Sequence, residues 1–398
     1  MAQMREMDDT CRLHLWLHYG VSGNAHAFRQ AKMHFPDLQE AYRLAATGSR
    51  TGFSFLSDAA VNRLIEAADE AFLDRYTGWL SRHRVGVSLL MDENYPALLR
   101  EISDAPPLLF YRGRLEPSPR LPVAMVGSRL CTQYGREVAH LFAHDLTAAG
   151  CTIISGMADG IDGCAARGAL SCEESPYPTV AVLGSGIDVI YPSCHRDLYE
   201  EIAERGAVIT EFLPGTRPMR ENFPIRNRIM SGMARGLIVV EAGDRSGTSI
   251  TAGYALDQGR EVFAVPGRLT DLQSIGTNRM IQRGEAKPIF CVADVLQEFE
   301  QMDDYDAFQS GPKRIALDTL SPDERAVCSA LRTESRSFDD LAEMLSLPVG
   351  QLNSLLTGMQ FSGIIKPLSG RLYALDTLNT VLVDDSSANE GLEDDLHG

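Results

Sequence analysis

The sequence predicts an α/β protein built on a Rossmann-like, doubly wound, mainly parallel sheet, with a small helical domain before it and a winged-helix domain after it. Three observations predict this. Short, almost wholly apolar runs recur through the centre, each is followed by small or polar residues and then a helical stretch, and the flanks carry helical periodicity instead. At about 150 residues per domain, 398 residues allow about two to three domains. An apolar content of 44% with 23% charged residues excludes a disordered or collagenous chain.

In chain order, residues 1–110 read as a helical domain, similar to sterile-α-motif or helix-hairpin-helix units, with a connecting segment. Leu13, Leu15 and Leu17, then Leu38, Tyr42 and Leu44, then Ile65, Ala68 and Phe72 recur at mixed helical spacings to about residue 85. Gly20-Val-Ser-Gly23 fits a turn of the kind that can hold a DNA phosphate. Residues 1–120 carry 14 basic and 15 acidic side chains, however, and this even balance favours a packing or interaction role. Val87–Met91, Tyr95–Leu99 and Asp104–Gly113 read as an irregular bridge.

Residues 111–300 carry the α/β pattern. Strands are expected at Pro122–Val126, Cys151–Ile154, Val180–Leu183, Val208–Ile209, Leu237–Val240 and Val262–Val265, with helices near 134–149, 159–170, 195–204, 249–258 and 274–283. Uninterrupted apolar strands suit a parallel sheet buried on both faces, and such sheets bind ligands outside their carboxyl ends. Gly127-Ser128-Arg129, Gly156 with Gly160-Ile-Asp162, Gly184-Ser185-Gly186, Glu211, Glu241 with Ser246-Gly247-Thr248, and Pro266-Gly267 stand at those ends in turn. Glycine lets a backbone approach an anion, and helix N-termini aim free N–H groups at it, so this rim should bind phosphate.

Between the fourth and fifth strands lies Asn222-Phe223-Pro-Ile-Arg226-Asn227-Arg228. Its arginines are forked phosphate donors and Phe223 is a stacking face. Alternatively, Arg226 and Arg228 pair with Glu211, Glu221 or Glu241 and organise the sheet end; one arginine could do each job. There is no G-x-x-x-x-G-K-[ST] motif. Val189 stands where a dinucleotide fingerprint after Gly184-Ser-Gly186 needs glycine or alanine. No nucleotide cofactor is expected.

Residues 301–316 read as a polar linker. Residues 317–375 read as a winged helix: helices at Ser321–Leu331, Ser337–Leu345 and Val349–Phe361, then two short strands about Ser369-Gly370. Its third helix carries Gln351, Asn353, Ser354 and Thr357 without a cation, and its second carries Asp339, Asp340 and Glu343. That surface would repel DNA phosphates, which favours a protein partner. The tail 376–398 is acidic and expected to be disordered.

The net charge of −17 argues at first against nucleic acid. Its distribution removes the objection, because residues 121–290 hold 16 basic and 19 acidic side chains while residues 291–398 hold 7 and 20. Only four lysines occur, so the cationic chemistry belongs to arginine. Eight cysteines without a C-x-x-C pair, and histidines without a matching cluster, argue for free thiols in a reducing cytoplasm and against a metal site. No secretory h-region or membrane-spanning apolar run is present, so a cytoplasmic protein is expected.

Residues from about 95 to 290 resemble the DNA-processing protein A family. The resemblance rests on Tyr95-Pro-x-x-Leu, Val126-Gly-Ser-Arg129, Ser155-Gly-Met-Ala-x-Gly-Ile-Asp162, Ala181-Val-Leu-Gly-Ser-Gly186 with Tyr191-Pro192, Asn222-Phe-Pro-x-Arg-Asn-Arg228-Ile, Val239-Val-Glu-Ala242, Ser246-Gly-x-x-x-Thr-Ala252, Ala264-Val-Pro-Gly267 and Gly276-Thr-Asn278. It implies a homodimeric, non-enzymatic protein that binds single-stranded DNA without sequence preference. Such a protein protects incoming DNA and loads a RecA-type recombinase in natural transformation. It places Arg129 in the DNA groove, with the Ser246-Gly247-Thr248 loop and Arg226 and Arg228 near it. Together with the rim, the candidate DNA-binding residues are Gly127, Ser128, Arg129, Gly156, Gly184, Ser185, Gly186, Asn222, Phe223, Arg226, Asn227, Arg228, Ser246, Gly247 and Thr248.

Three positions depart from the family pattern. Tyr177-Pro178 stand where a pocket lysine is common, Ala165-Ala166 where a histidine is usual, and His195 where asparagine is expected. The first departure would shift DNA affinity to Arg167, Arg196 or Arg220. The rival reading is a nucleotide phosphoribohydrolase-like enzyme using Glu211 or Glu241. Against it, Ser246-Gly-Thr-Ser-Ile-Thr lacks the glycine run and following glutamate of such enzymes.

Overall fold

A polar side chain opens every helix of the N-terminal part. The computed structural model describes residues 7–244, 246–299, 313–332, 334–362, 364–368, 372–375 and 380–383. Helices α1 (Asp9–Gly20), α2 (Ala25–His34), α3 (Leu38–Ala46), α4 (Asp58–Ala67) and α5 (Glu70–Arg82) follow Asp8, Asn24, Asp37, Ser57 and Asp69. Each of these caps accepts a first-turn N–H that the helix cannot satisfy itself. Trp16, Leu17, Phe28, Phe53, Leu64 and Leu73 form the core between them, and the Trp16 indole donates to the Leu64 carbonyl at 2.9 Å.

The chain divides into two units, Met1–Val292 and Ala293–Gly398. The first continues through β1 (Gly86–Leu89), α6 (Ala97–Arg100), β2 (Leu108–Gly113), β3 (Pro122–Val126), α7 (Gln133–Ala148), β4 (Thr152–Ser155), α8 (Ile161–Leu170), β5 (Thr179–Val182), α9 (Arg196–Arg205) and β6 (Ala207–Thr210). Then come α10 (Asn222–Gly232), β7 (Gly236–Val239), α11 (Thr248–Asp257), β8 (Glu261–Ala264), α12 (Ile275–Gln282) and β9 (Lys287–Pro288). Strands β3 to β7 are buried along their whole length, as a sheet covered on both faces requires.

The nine strands lie in the order β1-β2-β6-β5-β4-β3-β7-β8-β9. Pairings from β6 to β9 are all parallel, while β1 and β2 are antiparallel to their neighbours. Strands β4, β5 and β6 stack to one side of β3 and β7, β8 and β9 to the other, so the order reverses between β3 and β7. A crevice opens at the carboxyl ends there.

The six central strands fall within one residue of their expected bounds. The bridge read as irregular instead supplies β1 and β2, with Tyr111 registered against Ile209. Prolines at 96, 106 and 107 interrupt its sequence pattern, yet Leu108–Tyr111 are all buried. Asn222–Gly232, read only as a motif, is helix α10, whose Pro224 sits in the first turn where no intrahelical N–H is needed.

The N-terminal helices share a second core with this sheet: Cys11, Leu15 and Leu80 pack with Val87, Phe110 and Val208. His18 of α1 is fully buried, edge-on to Phe110 with ring centroids 5.7 Å apart. The Glu211 carbonyl beside it weakly favours the charged ring but does not meet hydrogen-bond geometry. Burial prevails and pushes the His18 pKa down to about 3.

Helix α13 (Val292–Leu296) spans the division between units. The second unit holds β10 (Lys313–Ala316), α14 (Pro322–Ala330), β11 (Arg336–Ser337), α15 (Phe338–Leu345), α16 (Val349–Phe361), β12 (Ile365–Leu368), β13 (Leu372–Leu375) and β14 (Thr380–Val383). Three helices and the sheet β11-β13-β12 form a winged helix around Val327, Leu341, Leu352, Leu356, Met359 and Ile365. Capping boxes at Ser321/Glu324 and Ser337/Asp340 start its first two helices. The expected linker lies outside the described residues at 301–312, and its end, Lys313–Ala316, is a strand. The expected disordered tail lies outside them at 376–379 and 384–398, whereas Thr380–Val383 pairs in parallel with β10. No described helix is long and apolar enough to cross a membrane.

His18 generates a pH test. The unfolded chain takes up this proton near 6.5 and the folded chain only near 3, so the stabilising contribution is whole above pH 6.5 and declines as pH falls through that window. The decline should be about 1.4 kcal/mol per pH unit. Urea denaturation from pH 7.5 downward should show this slope in the native sequence and lose it in His18→Phe.

Candidate nucleic-acid interface

Strand β3 runs directly into Gly127-Ser128-Arg129. The Ser128 N–H donates to the Glu241 carbonyl at 2.8 Å, and the Ser128 carbonyl accepts from Ile161 N–H at 3.2 Å. The turn is thereby tied both to the segment after β7 and to the start of α8. The Ser128 hydroxyl also accepts from Leu130 N–H at 3.1 Å. Held in this way, the exposed Arg129 lays its guanidinium carbon 4.7 Å from the centroid of Phe223, in the first turn of α10. That is cation–π range.

These residues line a cleft of about 710 Å³ at the point where strand order reverses. Tyr191, 41% exposed, adds a second aromatic face 5.8 Å from the Phe223 ring. Exposed Arg220 also lines the cleft. Ser246, Gly247 and Thr248 bring the N-terminus of α11 to the cleft, and the Ser246 hydroxyl accepts from Thr248 N–H at 3.1 Å. Exposed guanidinium, aromatic faces and a helix N-terminus together can hold an anionic backbone and stack against its bases.

Arg226 also lines the cleft but works beneath it. It is 3% exposed, donates from Nη1 to the carbonyls of Gly156 (2.9 Å) and Val182, and from Nε to Asn227 Oδ1 (3.1 Å). Gly156 must be glycine here, because a Cβ would run into this guanidinium. Burial lowers the Arg226 pKa to about 10, opposed by the Asp162 carboxylate and aided by Arg129. Burial likewise raises the Asp162 pKa, opposed by Arg226 and by the Ala158 and Gly156 N–H groups.

Nine predicted residues therefore meet in the cleft: Gly127, Ser128, Arg129, Phe223, Arg226, Asn227, Ser246, Gly247 and Thr248. The other six, Gly156, Gly184, Ser185, Gly186, Asn222 and Arg228, are not among its lining residues. Gly156 accepts from Arg226, and Asn222 Nδ2 donates to the Gly184 and Arg217 carbonyls at 3.2 Å each. The Ser185 hydroxyl donates to the Val189 carbonyl at 2.7 Å, and Gly186 is packed against Leu213 and Gly215.

Arg228 takes the alternative role, the arginine that pairs with Glu211 and organises the sheet end. Its Nη2 binds Glu211 Oε2 at 2.6 Å and its Nε lies 3.2 Å from Asp104, with only 7% of the side chain exposed. Two residues along a helix turn the side chain by about 200°, so Arg226 and Arg228 cannot face the same way. Of the three arginines suggested for the missing lysine, Arg220 alone lines the cleft. Asp162 and Tyr191 also line the cleft without having been expected there; a carboxylate opening a helix and an aromatic after the third strand's glycines are the features in the sequence that mark them.

Both carboxylates of the hydrolase reading are committed elsewhere. Glu211 is bound to Arg228, while Glu241 accepts the Thr132 N–H (2.8 Å) and hydroxyl at the start of α7. Each is 2% exposed and neither lines the cleft.

Fold and site thus define a doubly wound α/β protein with an arginine-and-aromatic cleft at its topological switch point. The sequence model of the DNA recombination-mediator protein A family matches residues 86–300, and that of the DprA winged helix domain matches residues 311–371. The chain belongs to the DNA recombination-mediator protein A family. It is 43% identical over 211 residues to the DNA processing protein DprA of Streptococcus pneumoniae, covering 53% of this chain and 73% of that one. It is 34% identical over 304 residues to Protein Smf of Escherichia coli, covering 73% and 78%. The X-ray structure of DprA from Streptococcus pneumoniae superposes with a TM-score of 0.59 at 34% identity, covering 72% of this chain and 96% of that one.

The two kinds of arginine should separate on mutation. Arg228→Ala leaves the Glu211 carboxylate buried and unpaired, so urea denaturation should show a loss of about 3–5 kcal/mol. Arg129→Ala, at an exposed position, should stay within about 0.5 kcal/mol of the native sequence.

Proposed function

We propose that this chain is a non-catalytic mediator of recombination that binds single-stranded DNA without sequence preference along the cleft between the ends of β3 and β7. The observation that carries this reading is the exposed Arg129 stacked on Phe223 beside the N-terminus of α11. A flexible strand can thread such a cleft, placing phosphates against Arg129 and Arg220 and bases against Phe223 and Tyr191. A rigid duplex keeps its bases stacked inside and gains only the phosphate contacts. Gly127 and Gly247 let a phosphate approach the backbone, the Ser128, Ser246 and Thr248 hydroxyls act as donors, and Arg226 is the support that orients α10.

Family membership supports the wider reading: a cytoplasmic homodimer that protects incoming DNA and loads a RecA-type recombinase in natural transformation. The winged helix is assigned to a protein partner. Exposed Gln351, Asn353, Ser354 and Thr357 give α16 a neutral polar face, and exposed Asp339, Asp340 and Glu343 make α15 acidic.

Fluorescence anisotropy with short mixed-sequence oligonucleotides tests the site. Single strands should bind more tightly than duplexes, and Arg129→Ala should weaken binding at least about tenfold while reducing the log–log salt slope by about 0.7, one phosphate contact on a single strand. Phe223→Ala should cost about 1–3 kcal/mol of single-strand affinity. Equal duplex affinity, or an unchanged Arg129→Ala protein, refutes the placement. Removing residues 312–398 should leave single-strand affinity unchanged; a large loss would move the interface to the winged helix.

A further inference from the structure

Beside the cleft, the turn after β4 and the segment after Tyr191-Pro192 bring three different donor atoms together. Asp159 Oδ1 lies 3.7 Å from His195 Nε2 and 3.9 Å from Cys194 Sγ, and all three donors fall within 4.8 Å of one another. Around a zinc ion with ligands at about 2.0–2.3 Å, a tetrahedron sets neighbouring donors about 3.3–3.8 Å apart. The exposed side chains of Asp159 and Cys194 are the ones free to adjust to it.

The imidazole is oriented as a metal ligand would be. His195 is buried, and its Nδ1 lies 3.0 Å from the Met157 carbonyl, an oxygen that can only accept. Nδ1 is thus the nitrogen turned to the backbone, and Nε2 is the one that faces Asp159 Oδ1. At 3.7 Å they are too far apart for a direct hydrogen bond, which spans about 2.7–3.2 Å, and suitably spaced for a shared ion. The ring itself is wedged in place, since a Cβ on Gly163 of α8 would fall 2.9 Å from His195 Cε1. A carbonyl on the far nitrogen is the arrangement that orients a metal-binding histidine.

We propose that Asp159, Cys194 and His195 form a zinc site, with imidazole nitrogen, thiolate sulfur and carboxylate oxygen as protein ligands and a fourth position open to water. The mixed N, S and O donors suit Zn²⁺, and the Cys194 thiol releases its proton to solvent on binding. Ala158, directly before Asp159, and Tyr191, three residues before Cys194, both line the cleft. The ion joins those two walls of the cleft. This proposal does not depend on what the cleft binds. The ligands escape a sequence search because 35 residues separate Asp159 from Cys194.

The test uses the full chain, stripped with a chelator and titrated with Co²⁺. One equivalent should bind with a thiolate-to-cobalt charge-transfer band that Zn²⁺ displaces. Cys194→Ser should abolish the band, and Cys164→Ser, a nearby thiol in α8, should leave it intact. Asp159→Asn and His195→Asn should each weaken Zn²⁺ at least about tenfold against a chromophoric chelator. Circular dichroism melting of exposed Asp159→Asn distinguishes loss of ligand from loss of fold. No saturable band, a band that survives Cys194→Ser, or unchanged zinc affinity in Asp159→Asn overturns the site and leaves a metal-free Asp–His pair.

Discussion

The guanidinium of Arg226, buried beneath the cleft, takes the carbonyls of Gly156 and Val182 and the side-chain oxygen of Asn227, so one side chain joins α10 to the ends of β4 and β5. A parallel sheet leaves carbonyls unpaired where its strands end, and each would otherwise need water or a loop N–H. Closing them with a cation places positive charge inside the protein. Asp162, at the start of α8, offsets it through space without a direct ion pair. Phe223 and the Arg129 above it take their positions from the attachment of α10.

The cleft shows how an acidic protein can present a cationic surface. Screening limits exposed charges to about 8–10 Å at physiological ionic strength, so the acidic residues beyond position 290 matter to the cleft only if they come that close. What an approaching phosphate meets is Arg129, Arg220 and the α11 terminus. The carboxylate that lines the cleft, Asp162, is buried and accepts from the backbone of Ala158 and Gly156. The other buried acids are likewise taken up, Glu211 by Arg228 and Glu241 by the start of α7. The fold spends its carboxylates on structure at the same sheet ends where a hydrolase would expose them.

Local chemistry made most of the fold legible in sequence. Apolar runs of two to five residues mark β3 to β8 because a strand covered on both faces has no polar side to show. The three helices of the winged helix are legible for the complementary reason: one apolar stripe each, and Ser-x-x-Glu or Ser-x-x-Asp boxes at two starts. Strands β1 and β2 were hidden by surrounding prolines, which disrupt the period without preventing pairing at a sheet edge.

Sequence by itself determined which residues could bind an anion: the glycine-rich strand ends, the arginines and Phe223. Only the tertiary structure decided which of them do which task. Arg226 and Arg228 are chemically identical and two residues apart, yet helix α10 points one under the cleft and the other at Glu211. Asp159 reaches His195 only because the turn after β4 and the segment after β5 meet. Side-chain type is written locally, whereas direction and burial are set by the elements packed around each residue, and those come from distant parts of the chain.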